Sequence, residues 1–363
     1  MVDSRQAALF EQLFSHRSRV LPTVGAQGDI AYYGTTARTV LNGPAATGMG
    51  YWSINPYVGC AFGCAYCYAR YTHRYVMERS ADGAVLDDGL AADAAAMPPW
   101  LAFERRIFVK RNAPAVLRET LRHGGPRHVG LVRGDALVIG TATDPYQPAE
   151  RQFRVTRGIL EVLAEHPGLR IGIITKSPLI TRDIDVLTRV VRHSRLAIHL
   201  SLITLDRELA RRLEPRAPTP EARLRALARL RDAGLDVGIN VMPVLPGITD
   251  SPAGLDALVA RVAALGATHV NVGTLRLQHE ARKRYLPFIA QEFPDLAERY
   301  RVTYDHSHDV GERYRKGLQC FFRRICATHN IRLGDGRRDR EDGATEDESE
   351  ASGSGDQLAL SLD

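Results

Sequence analysis

The chain has 363 residues, 44% hydrophobic and 25% charged, an ordinary composition for a globular protein of one large α/β domain or two smaller ones. No run of about 18 apolar residues is present to span a membrane as a helix. The start, MVDSRQAALFEQLF, puts an acid and an arginine ahead of a short amphipathic stretch, unlike a secretory leader, so a cytoplasmic protein with reduced thiols is expected and a tight cysteine cluster points to metal rather than disulfides.

Charge is unevenly spread. From Gly334 to Asp363 there are 10 acidic and 3 basic residues, net −7 against +6 overall, which leaves +13 on residues 1–333. A body that basic attracts polyanions, nucleic acid first among them. Arginine supplies 44 of the 48 basic residues, a bias that genome composition alone can produce, so charge by itself decides nothing.

Residues 1–50 carry scattered glycine and polar residues and read as an N-terminal extension that wraps the body. From 51 to 277 short β-rich runs alternate with amphipathic helical stretches. SINPYVG (53–59) is the first strand, followed by a cysteine loop and a helix starting near Tyr68. RIFVK (106–110), ALVIGTAT (136–143), RIGIITK (170–176), LAIHLSLIT (196–204), DVGINVMPVLPG (236–247) and THVNVGTLRL (268–277) follow, with helical segments between them. These strands are continuous apolar runs, as when helices cover one face and a core the other. Repeated β-then-α at this spacing predicts right-handed βαβ units and a full or partial βα barrel of parallel strands. Polar residues gather at the strand ends (Thr143 and Asp144, Thr175 and Lys176, Ser201, Asn240, Thr274 and Arg276), and that edge is where such folds hold ligands. Residues 278–333 read as a basic helical segment packed beside the barrel, with Arg282, Lys283 and Arg284 as one basic run. Residues 334–363 are too polar to bury a core and read as a disordered acidic tail.

Cys60, Cys64 and Cys67 follow C-x3-C-x2-C spacing in NPYVGCAFGCAYCYARY, with Gly59 and Gly63 to let the backbone turn tightly. A structural zinc site wants four protein ligands, and Cys320 with Cys326, spaced C-x5-C in an apparent helix, make a poor second pair. Three thiolates in one loop suit a [4Fe–4S] cluster whose fourth iron stays open to another ligand.

With an aromatic, Tyr66, just before the last cysteine, this pattern resembles the radical S-adenosylmethionine superfamily. YCYARY, GTATDPYQPAE (140–150), ITKSPLITRDIDVL (174–187), LSLITLD (200–206), LEPRAPTPEARLRAL (213–227) and NVMPVLPGITD (240–250), in that order, resemble its spore photoproduct lyase-like branch. The resemblance implies an incomplete, (βα)6-type barrel, a [4Fe–4S] cluster on Cys60, Cys64 and Cys67, and S-adenosyl-L-methionine bound at the open iron. An external electron donor would reduce the cluster. The resemblance also implies that Tyr66 lies against the adenine. Thr143 or Thr141 takes a hydroxyl position after the third strand, and Lys176 reaches the cofactor carboxylate. Ser201 bonds a ribose hydroxyl or the amino-acid end, with Asn240 beside the cofactor. Asp144 is either structural or a cofactor contact. Glu214 and Arg216 form a pair that orients the loop after the fifth strand. Tyr68 matches a tyrosine of the lyase's radical relay. The lyase also uses a cysteine beside the third strand to return a hydrogen atom. VIGTATD holds no thiol there, so the resemblance carries over cleavage of S-adenosylmethionine and not repair of the spore thymine dimer.

The expected function is a radical enzyme acting on nucleic acid, through DNA lesion repair or base modification. The alternatives are modification of RNA or protein, or a nucleic-acid-binding protein with a purely structural metal centre. At the extreme C-terminus Gln357, Leu358, Leu360 and Leu362 resemble a sliding-clamp-binding peptide on a flexible tether.

Overall fold

The computed structural model describes residues 23–47, 50–73, 97–123 and 129–334. The chain enters as a hairpin of β1 (Thr23–Gln27) and β2 (Ile30–Thr35), followed by β3 (Leu41–Asn42), β4 (Trp52–Ile54) and β5 (Tyr57–Val58). Helix α1 (Pro99–Arg105), β6 (Arg106–Lys110) and α2 (Ala113–His123) come next. Strand and helix then alternate through β7 (Ala136–Ile139), α3 (Ala149–Phe153), α4 (Val155–Ala164), β8 (Arg170–Thr175), α5 (Ile184–Val191) and β9 (Arg195–Ser201). The series continues with α6 (Arg207–Leu213), α7 (Pro220–Asp232), β10 (Asp236–Val244), α8 (Pro252–Ala264) and β11 (His269–Thr274). Helices α9 (His279–Glu292), α10 (Pro294–Thr303) and α11 (Glu312–Thr328) lead to β12 (Arg332–Leu333).

The main sheet runs β12-β11-β10-β9-β8-β7-β4-β3, parallel from β12 through β4, with β3 antiparallel at the edge. It is the partial barrel expected, with six strands (β4 and β7 to β11) making the wall. Two assignments differ. SINPYVG splits at Asn55-Pro56, so that β4 stays in the barrel while β5 pairs with β6 in a second sheet ordered β1-β2-β6-β5. Proline cannot donate to a ladder, and the chain leaves one sheet for the other there. RIFVK is a strand but belongs to that side sheet, parallel to β2. The count therefore shifts: Thr143 follows the second barrel strand, and Glu214 and Arg216 follow the fourth.

Burial shows why the sheet is curved and open. Outward residues such as Leu137, Ile139, Ile171, Ile173, Ile198 and Leu200 are fully or nearly buried under the helices. The inward residues between them are half-buried, so β7, β8 and β9 alternate where continuous burial was expected. An unclosed barrel leaves its inner face wet. Side-chain oxygens of Asp206, Thr219 and Ser251 cap α6, α7 and α8, satisfying first-turn N–H groups and fixing where each loop ends.

The C-terminal segment is more than an appendage, because β12 extends the main sheet with Arg332 opposite His269. Its tyrosines anchor it: Tyr300 donates to Pro246 O (2.8 Å), Tyr304 to Leu275 O (3.2 Å) and Tyr314 to Asp250 Oδ2 (3.0 Å). Within the expected basic run, Arg282 is paired to Asp305 (3.1 Å) and Lys283 to Glu280 (2.8 Å). Cys320 and Cys326 both lie on α11 as free thiols, one exposed and one buried. Among the described residues no helix is long and apolar enough to cross a membrane. Residues 1–22, the acidic tail after Gly334 and the peptide Gln357–Leu362 lie outside the described residues.

Candidate active site

The loop from Asn55 to Tyr71 leaves β4 at the C-terminal edge of the barrel and carries Cys60, Cys64 and Cys67 as free thiols. Hydrogen bonds from several elements fix its path. The Asn55 carboxamide accepts from Ala142 N (2.8 Å) and donates to Thr141 Oγ1 (3.1 Å). Thr143 Oγ1 donates to Gly59 O at 2.6 Å, and Gln147 Nε2 donates to both Gly59 O (3.1 Å) and Thr143 Oγ1 (2.9 Å). Gln147 Oε1 accepts from Ala61 N (2.9 Å), and Cys60 N donates to Phe103 O (2.8 Å). Arg216 Nε holds Ala61 O at 2.6 Å, while the fully buried Arg70 holds Cys64 O and Glu104 Oε2, each at 2.8 Å. Gly59 has φ +87°, and a Cβ there would stand 2.7 Å from Phe103 O, so no other residue fits. The cysteine loop is preformed.

Burial raises the Cys60 thiol to about 12 and pushes Cys64 well above its usual range. Left alone these thiols stay neutral; as ligands they need positive charge nearby. Lys176 supplies some of it. It lies just past β8 on the inward-facing parity, and Asp144 Oδ2 accepts from its backbone N at 2.7 Å. Asp144 Oδ1 also accepts from Thr175 Oγ1 (2.7 Å), so this carboxylate ties the end of β7 to the end of β8. The Lys176 ammonium is 4.0 Å from Glu214 Oε1 and 5.7 Å from the centroid of the Tyr66 ring. Burial works against its charge, yet Cys64 and Glu214 outweigh that and raise its pKa. Glu214, 1% exposed, takes the Tyr66 hydroxyl on one oxygen and the Arg223 guanidinium on the other. Burial alone would raise it, but Arg223 and Lys176 hold it below the usual carboxylate range. The expected Glu214–Arg216 pair is thus not formed: Glu214 belongs to Arg223 and Lys176, Arg216 to Ala61 and Glu104.

The structure brings Cys60, Cys64, Cys67, Tyr66, Lys176 and Glu214 together, with Thr141, Thr143 and Asp144 behind the loop. The Tyr68 hydroxyl bonds Thr141 O, and its side chain is 49% exposed. Ser201 and Asn240 are register partners on β9 and β10, and Asn240 sits within its strand rather than at the end. Thr274 and Arg276 turn to Asp309 of the C-terminal segment, at 3.2 and 3.9 Å.

Sequence reasoning missed a polar string on the inner wall. Asn271 Nδ2 donates to Asn240 Oδ1 (2.9 Å) and lies 3.2 Å from His199 Nδ1, which is 3.3 Å from His269 Nε2. Burial lowers the His269 pKa. The two imidazoles meet over Gly238, where a Cβ would fall 2.2 Å from His269 Nε2. A glycine inside the strand DVGINV is the one sequence signal for this close approach. The supporting Arg70, Glu104, Gln147 and Arg223 were missed as well, because nothing in a helical or loop sequence marks a buried ion pair.

The Radical SAM superfamily model matches residues 54–258. The chain belongs to the radical SAM superfamily. An uncharacterized protein of Mycobacterium tuberculosis is 34% identical over 292 residues, covering 80% of this chain and 78% of that one. An uncharacterized protein of Methanocaldococcus jannaschii is 26% identical over 200 residues, 54% of this chain and 61% of that one. Among solved structures, a spore photoproduct lyase mutant with dinucleoside spore photoproduct superposes with TM-score 0.57 at 15% identity, over 91% of this chain and 93% of that one. The fold is thus that of the branch the motifs suggested. This radical SAM chain is an enzyme of its class, and the family implies S-adenosylmethionine and an iron–sulfur cluster. The donor set fits a cluster: three thiols on one preformed loop, with a lysine beside Cys64. Among the described residues no three His, Cys, Asp or Glu side chains converge as ligands of one metal ion would.

Proposed function

We propose that this enzyme holds a [4Fe–4S] cluster on Cys60, Cys64 and Cys67, cleaves S-adenosylmethionine, and acts on nucleic acid, most directly a DNA lesion or base. Bound together, the cluster and S-adenosylmethionine supply a 5′-deoxyadenosyl radical by one-electron cleavage of the C5′–S bond. The observation that carries the reading is the Lys176–Glu214 pair at the three-cysteine loop. A purely structural metal centre has no use for a buried ammonium beside its thiols, whereas the carboxylate of S-adenosylmethionine would accept from Lys176, with Glu214 steadying that ammonium. Asp144 holds Lys176 in place through its backbone, and Arg223 holds Glu214. Tyr66 presents its ring beneath Lys176. Ser201, at the end of β9, and its register partner Asn240, within β10, line the inner wall where the sugar of the cofactor would lie. The half-buried inner-wall positions of β8 and β9 are the face open to a substrate. For the substrate class the support is the +13 charge of residues 1–333 and the likeness in fold to a protein solved with a dinucleoside photoproduct.

Mass spectrometry of DNA and RNA from cells with and without this protein tests the substrate. A nucleoside lesion or modification in DNA that tracks the protein supports the reading. A difference confined to RNA, or to a protein, moves the substrate class.

A further inference from the structure

We infer that Asn271, His199 and His269 are positioning residues for the inner wall: their string turns the Asn240 carboxamide so that its N–H group faces the cofactor, and the C-terminal strand β12 closes the string. This rests on the function proposed above, in which Asn240 stands beside S-adenosylmethionine.

The sheet register puts these residues on two levels of the wall. Asn240 is level with Ser201 on β9 and with Asn271 on β11. Lys176, one residue past the Thr175–Leu200 pair, stands on the same level. One level down, His199 is the register partner of Gly238, and His269 lies beside Gly238 because Val270 pairs with Ile239.

A carboxamide can show a ligand its oxygen or its nitrogen, and the two ends recognise opposite chemistries. Asn240, 7% exposed, has its Oδ1 taken: it accepts from Asn271 Nδ2 at 2.9 Å. Among the described residues nothing accepts from Asn240 Nδ2, so a donor is what this side chain offers. With the Lys176 ammonium and the Ser201 hydroxyl it makes a row of donors across β8, β9 and β10, suited to a ligand rich in oxygen acceptors. The carboxylate and ribose of S-adenosylmethionine are such acceptors.

The Asn271 amide is itself held from both sides. Its Nδ2 lies 3.2 Å from His199 Nδ1, which takes the second amide hydrogen when that ring carries its own hydrogen on Nε2. His269 Nε2 stands 3.3 Å from the same His199 nitrogen and braces it. On the other side Asn271 Oδ1 rests on Gly334, where a Cβ would fall 1.9 Å away. Turned over, the amide would set its NH2 against the Gly334 Cα and leave Asn240 Oδ1 without a donor. Gly334 is fixed by its own N–H to Val270 O (2.8 Å), directly after β12. Gly238 does for His269 what Gly334 does for Asn271, and neither has a left-handed φ. The missing side chain, not backbone freedom, is what these two positions require.

The test is the S-adenosylmethionine affinity of the cluster-loaded enzyme, measured by titration calorimetry in a double-mutant cycle. Asn240→Ala should weaken binding about fivefold or more, the worth of one hydrogen bond. Asn271→Asp keeps the shape but has no hydrogen for Asn240 Oδ1, and should weaken binding by a similar factor. Gly334→Ala should do the same by displacing Asn271, although it lies behind the wall. In the Asn240→Ala background each of the two should cost less than about twofold, because the group they orient is gone. Nitrogen NMR of labelled histidine should find the His199 hydrogen on Nε2 in the parent, with a hydrogen gained on Nδ1 in Asn271→Asp. Parent-like affinity in Asn240→Ala or in Asn271→Asp would overturn the proposal. So would losses that add in full to that of Asn240→Ala, which would make the string general support of the barrel, or a parent His199 with its hydrogen on Nδ1. If the cluster-loaded parent binds no S-adenosylmethionine, the functional reading falls first and this one with it.

Discussion

Glu214→Gln removes the charge at the centre of the buried constellation while keeping its shape. Arg223, 2% exposed, would retain its bonds to Ser201 O and Pro218 O, both 2.9 Å, but lose its carboxylate partner. Stripping one member from a buried pair costs about 3–5 kcal/mol, because the other charge stays desolvated and uncompensated. Lys176 is 18% exposed and 4.0 Å away, so its share is smaller, within about 1 kcal/mol. Against a total stability of about 5–15 kcal/mol this is a large fraction. In anaerobic urea unfolding, with a slope of about 3 kcal/mol per molar, the midpoint should fall by about 1–1.7 M. Adding Arg223→Met should recover at least half of the loss, since an apolar replacement leaves no orphaned charge. Because the folded Glu214 pKa is depressed, its contribution is complete above the unfolded carboxylate range, about 4.3, and fades as pH falls through and below it. The gap between parent and Glu214→Gln should therefore narrow below about pH 4. A midpoint within about 0.2 M of the parent at pH 7 would show that the pair is not holding this loop.

Lys176→Ala should leave the cluster in place and weaken S-adenosylmethionine binding at least tenfold, about 1.4 kcal/mol, by calorimetry; unchanged affinity would mean the ammonium serves only Glu214. Gly59→Ala forces a Cβ against Phe103 O from a left-handed backbone, and iron content per chain should drop severely, whereas full loading would contradict the view that the loop is preformed. For the C-terminal peptide, micromolar binding to the organism's own sliding clamp is expected, about −8 kcal/mol, and Gln357→Ala with Leu360→Ala should abolish it; equal binding by the double variant ends the idea.

The barrel was legible because its outward residues are apolar and its helices carry caps and periodicity. Its strand count was not, since RIFVK is as apolar as any barrel strand and only its pairing with β2 sends it to the side sheet. Residue chemistry located the cysteines and Lys176, because thiol spacing and a lysine after a strand are local signals. The resemblance supplied Tyr66 and Glu214. The partner of Glu214 was misread: Arg216 is nearer in sequence, but Arg223, one turn into α7, is the residue that points back under Ser201. Thr143 illustrates another limit. Its hydroxyl looked available at a strand end, and the structure shows it donating to Gly59 O and accepting from Gln147. The histidines of the inner wall depend on three strands coming together over one glycine, which no single stretch of sequence displays.

The most direct test of the account is release of 5′-deoxyadenosine by the anaerobically purified enzyme, reduced with dithionite and mixed with S-adenosylmethionine, beside the Cys64→Ala variant. The parent should be brown, bleach on reduction and yield the nucleoside, and the variant should be colourless and yield none, because two remaining thiolates cannot hold the cluster. A parent that after iron–sulfide reconstitution stays colourless with one zinc per chain, or a Cys64→Ala protein that still forms the product, would contradict it.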